Sequence, residues 1–257
     1  MADNDASLLG RKVFFLYPSA FIQDTIIDQV IQQEFEVYII KDDTRLQRVL
    51  RKYPDSIVFA YIDETRQPAQ RETWIKQIMD DKALKGVDIG VISSVDDEET
   101  RRLFLGVYKV SCGFFSLKMD SAEMVKALLD MLEAAEAKGR RKYIRVETQG
   151  ETRATINISF KNGNYATGEI LDISAVGLSC VFSEDPRLEK NSLLPNTQIK
   201  LQTALIKLDG IVLGYRIENS RKVYVILFPP KTDPDMRKKI RVFIQKQLQS
   251  KLDAEIR

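Results

Sequence analysis

The stretch Lys138-Gly-Arg-Arg-Lys-Tyr-Ile-Arg-Val146 divides this chain in two. Upstream, Ser121 to about Ala137 has the apolar spacing of a long helix, and Gly139 is a natural helix stop. Downstream, Arg140 to Arg145 is basic and starts an extended segment. With 257 residues there is room for two domains, each with its own core. The charge changes sign at the same place. From Lys138 to the end there are 22 Lys/Arg and 13 Asp/Glu, a net of +9, whereas Met1 to Ala137 holds 17 and 24, a net of −7. That asymmetry predicts two domains, 1–137 and 138–257, with different work. The basic one suits an anionic ligand, nucleic acid or a membrane surface. Mutual attraction of the two halves is the plainer account of the same numbers.

Reading outward toward the start, strands alternate with helices. The strands are Lys12-Val-Phe-Phe-Leu-Tyr17, Val37-Tyr-Ile-Ile40, Ser56 to Ile62, Val87 to Ile92 and Gly113 to Leu117. The helices are Ala20–Gln33, Asp42–Lys52, Trp74–Leu84, Asp96–Val107 and the long one from Ser121. Alternation of this kind predicts an α/β domain with a parallel sheet covered on both faces. Five such units resemble a response-regulator receiver domain, which implies a flavodoxin-like topology. Lys118 follows the fifth strand, where receivers keep a lysine, and Ser93 ends the fourth, where they keep Thr or Ser. The phosphorylation chemistry departs from the pattern. Leu16-Tyr17-Pro18-Ser19 stands where receivers keep an acidic pair, the acceptor position falls on Ala60, and Asp63 is three residues late. Mg²⁺ needs several placed oxygen ligands, so the expectation is a phosphorylation-incompetent pseudo-receiver.

Reading outward toward the end, short strand-like stretches are separated by turn residues. They are Ala154–Phe160, Ala166–Ile173, Gly177–Phe182, Thr197–Leu208, Gly210–Ile217 and Val223–Phe228, with turns at Lys161-Asn-Gly-Asn164 and Asp209-Gly210. This spacing predicts an antiparallel sandwich or small β-barrel. Asp235 to about Glu255 closes the chain as an amphipathic helix.

Two motifs carry chemistry here: Arg141-Lys-Tyr-Ile-Arg145 and, further on, Asp172-Ile-Ser174-Ala-Val-Gly177. In this order, after a helix stop and within a strand series, they resemble the RxxxR and [D/N]xSxxG motifs of a PilZ domain, the bacterial receptor module for cyclic di-GMP. The resemblance covers about 138–257 and implies a β-barrel with a terminal helix. It assigns Arg140, Arg141, Arg145, Asp172, Ser174 and Gly177 to the ligand. The residue chemistry agrees. A guanidinium fork matches guanine O6 and N7, stacks on the purine and offsets the phosphates. Asp172 can accept from guanine N1–H and N2–H₂, Ser174 adds a hydroxyl, and Gly177 permits a turn or a close backbone approach. In this family an arginine directly before RxxxR accompanies binding of an intercalated ligand dimer, and Arg140 holds that place. With few apolar residues and many like charges, 138–146 is expected to be loosely held until ligand orders it and shifts the arrangement of the halves.

Composition narrows the alternatives. Histidine is absent, which excludes Ser-His-Asp and Cys-His catalysis, His-ligated zinc and a histidine proton switch. Cys112 and Cys180 are too few for a disulfide scaffold or a Cys-only zinc site. The expectation is a non-enzymatic, cytoplasmic protein without metal or cofactor, whose ligand is cyclic di-GMP and whose output is an unidentified protein partner. Homodimerisation through an apolar face, without membrane insertion, fits that reading. The competing readings are an adaptor that works without ligand and a nucleic-acid-binding regulator using the basic half. Against the latter stands the lack of a helix-turn-helix or RNA-binding signature.

Overall fold

The computed structural model describes residues 10–63, 68–148, 154–160 and 163–256. The chain forms two compact units, 1–142 together with 249–257, and 143–248.

In the first unit five parallel strands stand in the order β2-β1-β3-β4-β5, with β1 Lys12–Leu16, β2 Val37–Ile40, β3 Ser56–Tyr61, β4 Asp88–Ser93 and β5 Phe114–Ser116. This is the order of a flavodoxin-like sheet. The strands are continuous apolar runs because both faces are covered: Val13, Phe14, Phe15 and Leu16 of β1 are all buried. Phe15, Phe59 and Phe115 link three strands through ring contacts of 5.2 and 5.7 Å. The helices are α1 (20–32), α2 Asp43–Lys52, α3 Pro68–Asp80, α4 (98–107) and α5 Ser121–Ala134. Residues Ile22–Ile27 of α1 and Arg102–Val107 of α4 are π-wound. Asp42 and Asp120 cap α2 and α5 by accepting from backbone N–H groups of the first turn.

One helix begins and ends earlier than its apolar spacing implies. The expected Trp74–Leu84 is α3, which starts at Pro68, a residue preorganised for the first helical turn. It stops before Asp81, whose carboxylate accepts from Ala83 N–H and opens a separate 3₁₀ turn, Lys82–Leu84.

Polar contacts tie the rim of this unit together. The Arg11 guanidinium donates to the carbonyls of Ala135, Ser56 and Gly86 at 3.0–3.2 Å and pairs with Asp55 and Asp88 at 2.7 Å. Lys12 pairs with the buried Glu36, which also accepts from Tyr38. The end of the last helix belongs with this unit: Gln249 accepts from Ile39 N–H at 2.9 Å, Asp253 pairs with Arg45, and Glu255 accepts from Lys52 and Tyr53 at 2.6 Å.

The second unit is antiparallel. Its strands are β6 Arg145–Glu147, β7 Ala154–Ser159, β8 Tyr165–Ser174, β9 Gly177–Phe182, β10 Leu193–Leu201, β11 Ala204–Glu218 and β12 Arg221–Leu227. They follow the order β6-β8-β7-β10-β11-β12-β9, and a further pairing of β9 with β8 closes a six-stranded barrel. The barrel is filled by residues alternating along the strands, among them Ile156, Ile158, Ile170, Leu178, Cys180, Ile199, Ile206, Tyr224 and Ile226. The C-terminal helix α6, Pro234–Glu255, follows β12 and buries Ile240, Phe243, Ile244 and Leu248. Among the described residues no helix is long and apolar enough to cross a membrane.

Two expected strand boundaries move. The run Thr197–Leu208 is not one strand: it turns at Gln202-Thr203, where Gln202 has φ 55°, and Leu201 pairs with Ala204. No Gly, Asn or Asp marks that turn. Conversely, Asp209-Gly210 is not a turn but the middle of β11. Gly210 leaves room for the Ile226 side chain, which a Cβ would approach to 2.7 Å, and the Asp209 carboxylate accepts from Asn196 N–H at 3.0 Å. Nor is 138–146 loosely held throughout. Ile144 and Val146 are buried and Arg145–Glu147 is paired as β6, so two apolar side chains anchor the end of the basic stretch.

The barrel also carries an acid-sensitive contact. Asp185 accepts from Lys222 Nζ at 2.6 Å, from Tyr224 OH, and from Arg187 N–H at 3.0 Å. Lys222 first, then the tyrosine hydroxyl and the amide, hold its carboxyl down at about 2. Because the folded value lies below the ordinary one, the contact stabilises the barrel at pH above about 4 and is lost as pH falls through about 2. Asp185→Asn is expected to flatten the loss of stability between pH 4 and pH 2, measured by urea unfolding at each pH.

Candidate ligand-binding site

The site is built on a two-residue hairpin. Ser174 and Gly177 face each other across the loop Ala175-Val176, which places Ile173 opposite Leu178 and Asp172 opposite Ser179. On the other edge of β8, Arg145 lies opposite Ser174 and Glu147 opposite Asp172. Cross-strand partners share a face, so Arg145, Glu147, Asp172, Ser174, Gly177 and Ser179 stand together. Val146, Ile173 and Leu178 point the other way into the barrel, where all three are buried. The site is therefore on the outer wall, across β6, β8 and β9.

A β-bulge makes this possible. Ile170 and Asp172 are two apart and in a regular strand would share a face. The register slips between them, so that Ile170 stays in the core and Asp172 is turned outward. Thr148 secures the bulge, donating its N–H to Leu171 O at 2.9 Å and its hydroxyl to Ile170 O.

The six expected residues are not equivalent. Arg145 Nη1 lies 3.3 Å from Asp172 Oδ1, and the Asp172 side chain is only 14% exposed. The Ser179 hydroxyl, itself buried, donates to Asp172 Oδ2. Asp172 Oδ1 is buried without a hydrogen-bond partner. A carboxylate oxygen in that condition is an acceptor with unused capacity. Ser174 does something else: it is buried, and its hydroxyl donates to Gly177 O at 3.1 Å across the hairpin. In this structure the hydroxyl shapes the turn, accepting as well from Val176 N–H at 3.4 Å. Gly177 has no positive φ; it is needed because a Cβ would sit 2.6 Å from the Ile226 carbonyl of the neighbouring strand. The close backbone approach seen here is to β12. Arg140 and Arg141 are exposed, in the irregular chain that ends the stretch counted with the first unit.

Ser179 and Glu147, which share this face, are not among the residues expected from the motifs. The one available signal was indirect: a hairpin with a two-residue loop between 174 and 177 puts 179 across from 172.

In the first unit the receiver-like positions are committed to structure. Ala60 is buried in β3, and the Asp63 carboxylate accepts from Ser93 Oγ at 2.6 Å and from the Ser94 amide and hydroxyl. Among the described residues no group of three or more Asp, Glu or Cys side chains is arranged to hold a metal. Both cysteines are buried; desolvation pushes the Cys112 thiol up to about 12 and raises that of Cys180 further.

No protein-family model and no curated protein matches the sequence. Among solved structures, the chain is similar to MrkH of K. pneumoniae in complex with c-di-GMP, with 21% identity, 45% of this chain and 56% of that one covered, and a TM-score of 0.39. It is also similar to the PilZ domain of Escherichia coli YcgR with c-di-GMP, at 12% identity, 44% and 98% coverage and a TM-score of 0.38. A response regulator from Thermotoga maritima is similar at 14% identity, 49% and 99% coverage and a TM-score of 0.40. The match spans little more than half the length of the MrkH chain.

Proposed function

We propose that this chain is a cyclic di-GMP-binding effector whose barrel unit is the receptor. The observation that carries the reading is Asp172: a nearly buried carboxylate on the outer wall, paired to Arg145, with one oxygen lacking a hydrogen-bond partner. Guanine offers N1–H and N2–H₂ to such an acceptor, and adenine does not. Arg145 is placed by β6 beside that carboxylate, where its fork can meet the O6 and N7 edge of a guanine or stack on its face. Arg140 and Arg141, in the same basic stretch, supply fixed positive charge for the two phosphates.

The regulatory consequence follows from where these arginines stand in the sequence, between α5 and β6. Ligand held jointly by the exposed Arg140 and Arg141 and by the β6–β8–β9 wall restricts the chain at 139–143, which leads from α5 into β6. Restricting that stretch changes the arrangement of the two units or their affinity for a protein partner, without a chemical step.

Isothermal titration of cyclic di-GMP into the full chain tests this. Saturable binding is expected, weakened about 10- to 100-fold by Asp172→Ala and by Arg141→Ala, the range for a hydrogen bond to a charged group. Two ligands per chain, reduced to one by Arg140→Ala, would support an intercalated ligand dimer. No binding to the folded wild-type chain refutes the proposal. Duplex DNA belongs in the same experiment because the second half carries a net +9. DNA binding with a steep salt dependence, in place of nucleotide binding, would make the basic half a nucleic-acid surface instead.

A further inference from the structure

We infer that Ser179 is a positioning residue that selects guanine by fixing the plane of the Asp172 carboxylate; the inference rests on the cyclic di-GMP reading and names what sets its base specificity. A hydroxyl has one proton to give, and Ser179 gives it to Asp172 Oδ2. The donor is held rigidly. Ser179 is 1% exposed, and its backbone is paired on both sides, to Asp172 of β8 and to Val225 of β12. The two carboxylate oxygens are thereby made unequal. Oδ2 is satisfied within the barrel wall, while Oδ1 lies 3.3 Å from Arg145 and lacks a hydrogen-bond partner.

An aspartate that rotates freely about its two side-chain bonds can accept from almost any donor, and discriminates little between purines. One whose plane is set presents an acceptor at a fixed point and in a fixed direction, which rewards a base carrying donors there and penalises one without them. Ser174, the serine inside the motif, cannot do this, because its hydroxyl is spent on the Gly177 carbonyl.

The distinguishing probe is cyclic di-IMP, which keeps the ring N–H of guanine but lacks the exocyclic amino group. Titration calorimetry on the full chain compares cyclic di-GMP and cyclic di-IMP for wild type, Ser179→Ala and Ser179→Cys. Wild type is expected to prefer cyclic di-GMP. Ser179→Ala should lower cyclic di-GMP affinity about tenfold and cyclic di-IMP affinity less, so that the ratio of the two shrinks. Ser179→Cys, a weak donor of similar size, should fall between. A folded Ser179→Ala chain with an unchanged ratio overturns the inference, whether both affinities are retained or both fall equally, since equal loss is what a structural role predicts. If the alanine chain does not fold, the cysteine variant decides, and a wild-type ratio overturns the inference. A wild-type chain that binds neither nucleotide refutes the cyclic di-GMP reading itself, and this inference falls with it.

Discussion

Arg11→Ala is expected to destabilise the α/β unit by about 2 kcal/mol, the scale of removing a largely buried guanidinium whose hydrogen bonds to carbonyls are lost together, the pair with the exposed Asp55 adding little. The guanidinium is 14% exposed and holds five groups at once: three carbonyls, from β3, from the turn before β4 and from the end of α5, and the carboxylates Asp55 and Asp88. Alanine removes every donor together. Asp55 and Asp88 lose their shared cation as well. Urea unfolding followed by fluorescence reads this unit selectively, because the single tryptophan, Trp74, is buried in α3. Arg51→Ala is the comparison: its pair with Asp81 spans 3.5 Å with Arg51 68% exposed, so a change within about 0.5 kcal/mol is expected. Equal midpoints for the two variants would show that the Arg11 contacts contribute no more than a surface pair.

Gly177→Ala is expected to destabilise the barrel by about 1–3 kcal/mol and to weaken nucleotide binding with it. A methyl group at 177 meets the Ile226 carbonyl at 2.6 Å and the Leu227 side chain at 3.1 Å, so β9 and β12 must separate. The hairpin then shifts, and with it the register that sets Ser179 against Asp172. Hydrogen exchange of the β9 and β12 amides, alongside calorimetric unfolding, measures both effects. Gly106→Ala on α4 makes the contrast, since its Cβ would meet only the Arg102 side chain at 3.7 Å, and no loss of stability is expected there. Wild-type protection in β9 and β12 of the Gly177 variant would show that the strands accommodate a side chain.

Much of this molecule was legible in its residues. The runs at Val13–Leu16, Val37–Ile40 and Ile57–Ala60 are apolar at every position, and only a strand covered on both faces needs that. Alternation with amphipathic stretches such as Leu46, Val49 and Leu50 then leaves a parallel sheet as the architecture. In the second half the motif Asp172-Ile-Ser174-Ala-Val-Gly177 carries its own hairpin, because Ser174 and Gly177 close the loop between them. These are local signals: periodicity, turn chemistry and a helix stop act over a few residues, and a sequence states them directly.

What only the tertiary structure decided is which distant residues meet. The turn at Gln202-Thr203 has no turn residue to announce it; the pairing of β10 with β11 imposes a positive φ on a glutamine. Gly210 reads as a turn and is instead a place where a neighbouring side chain needs room. The bulge after Ile170 inverts the face on which Asp172 stands, and simple alternation would have sent it into the core. Arg11 finds carbonyls 45, 75 and 124 residues away, and Ser179, beyond the end of the motif at Gly177, donates back to Asp172. Strand and helix preferences are set by a residue and its near neighbours. Register, closure of the barrel and the satisfaction of buried polar groups are set by the one packing that leaves the fewest donors and acceptors unpaired.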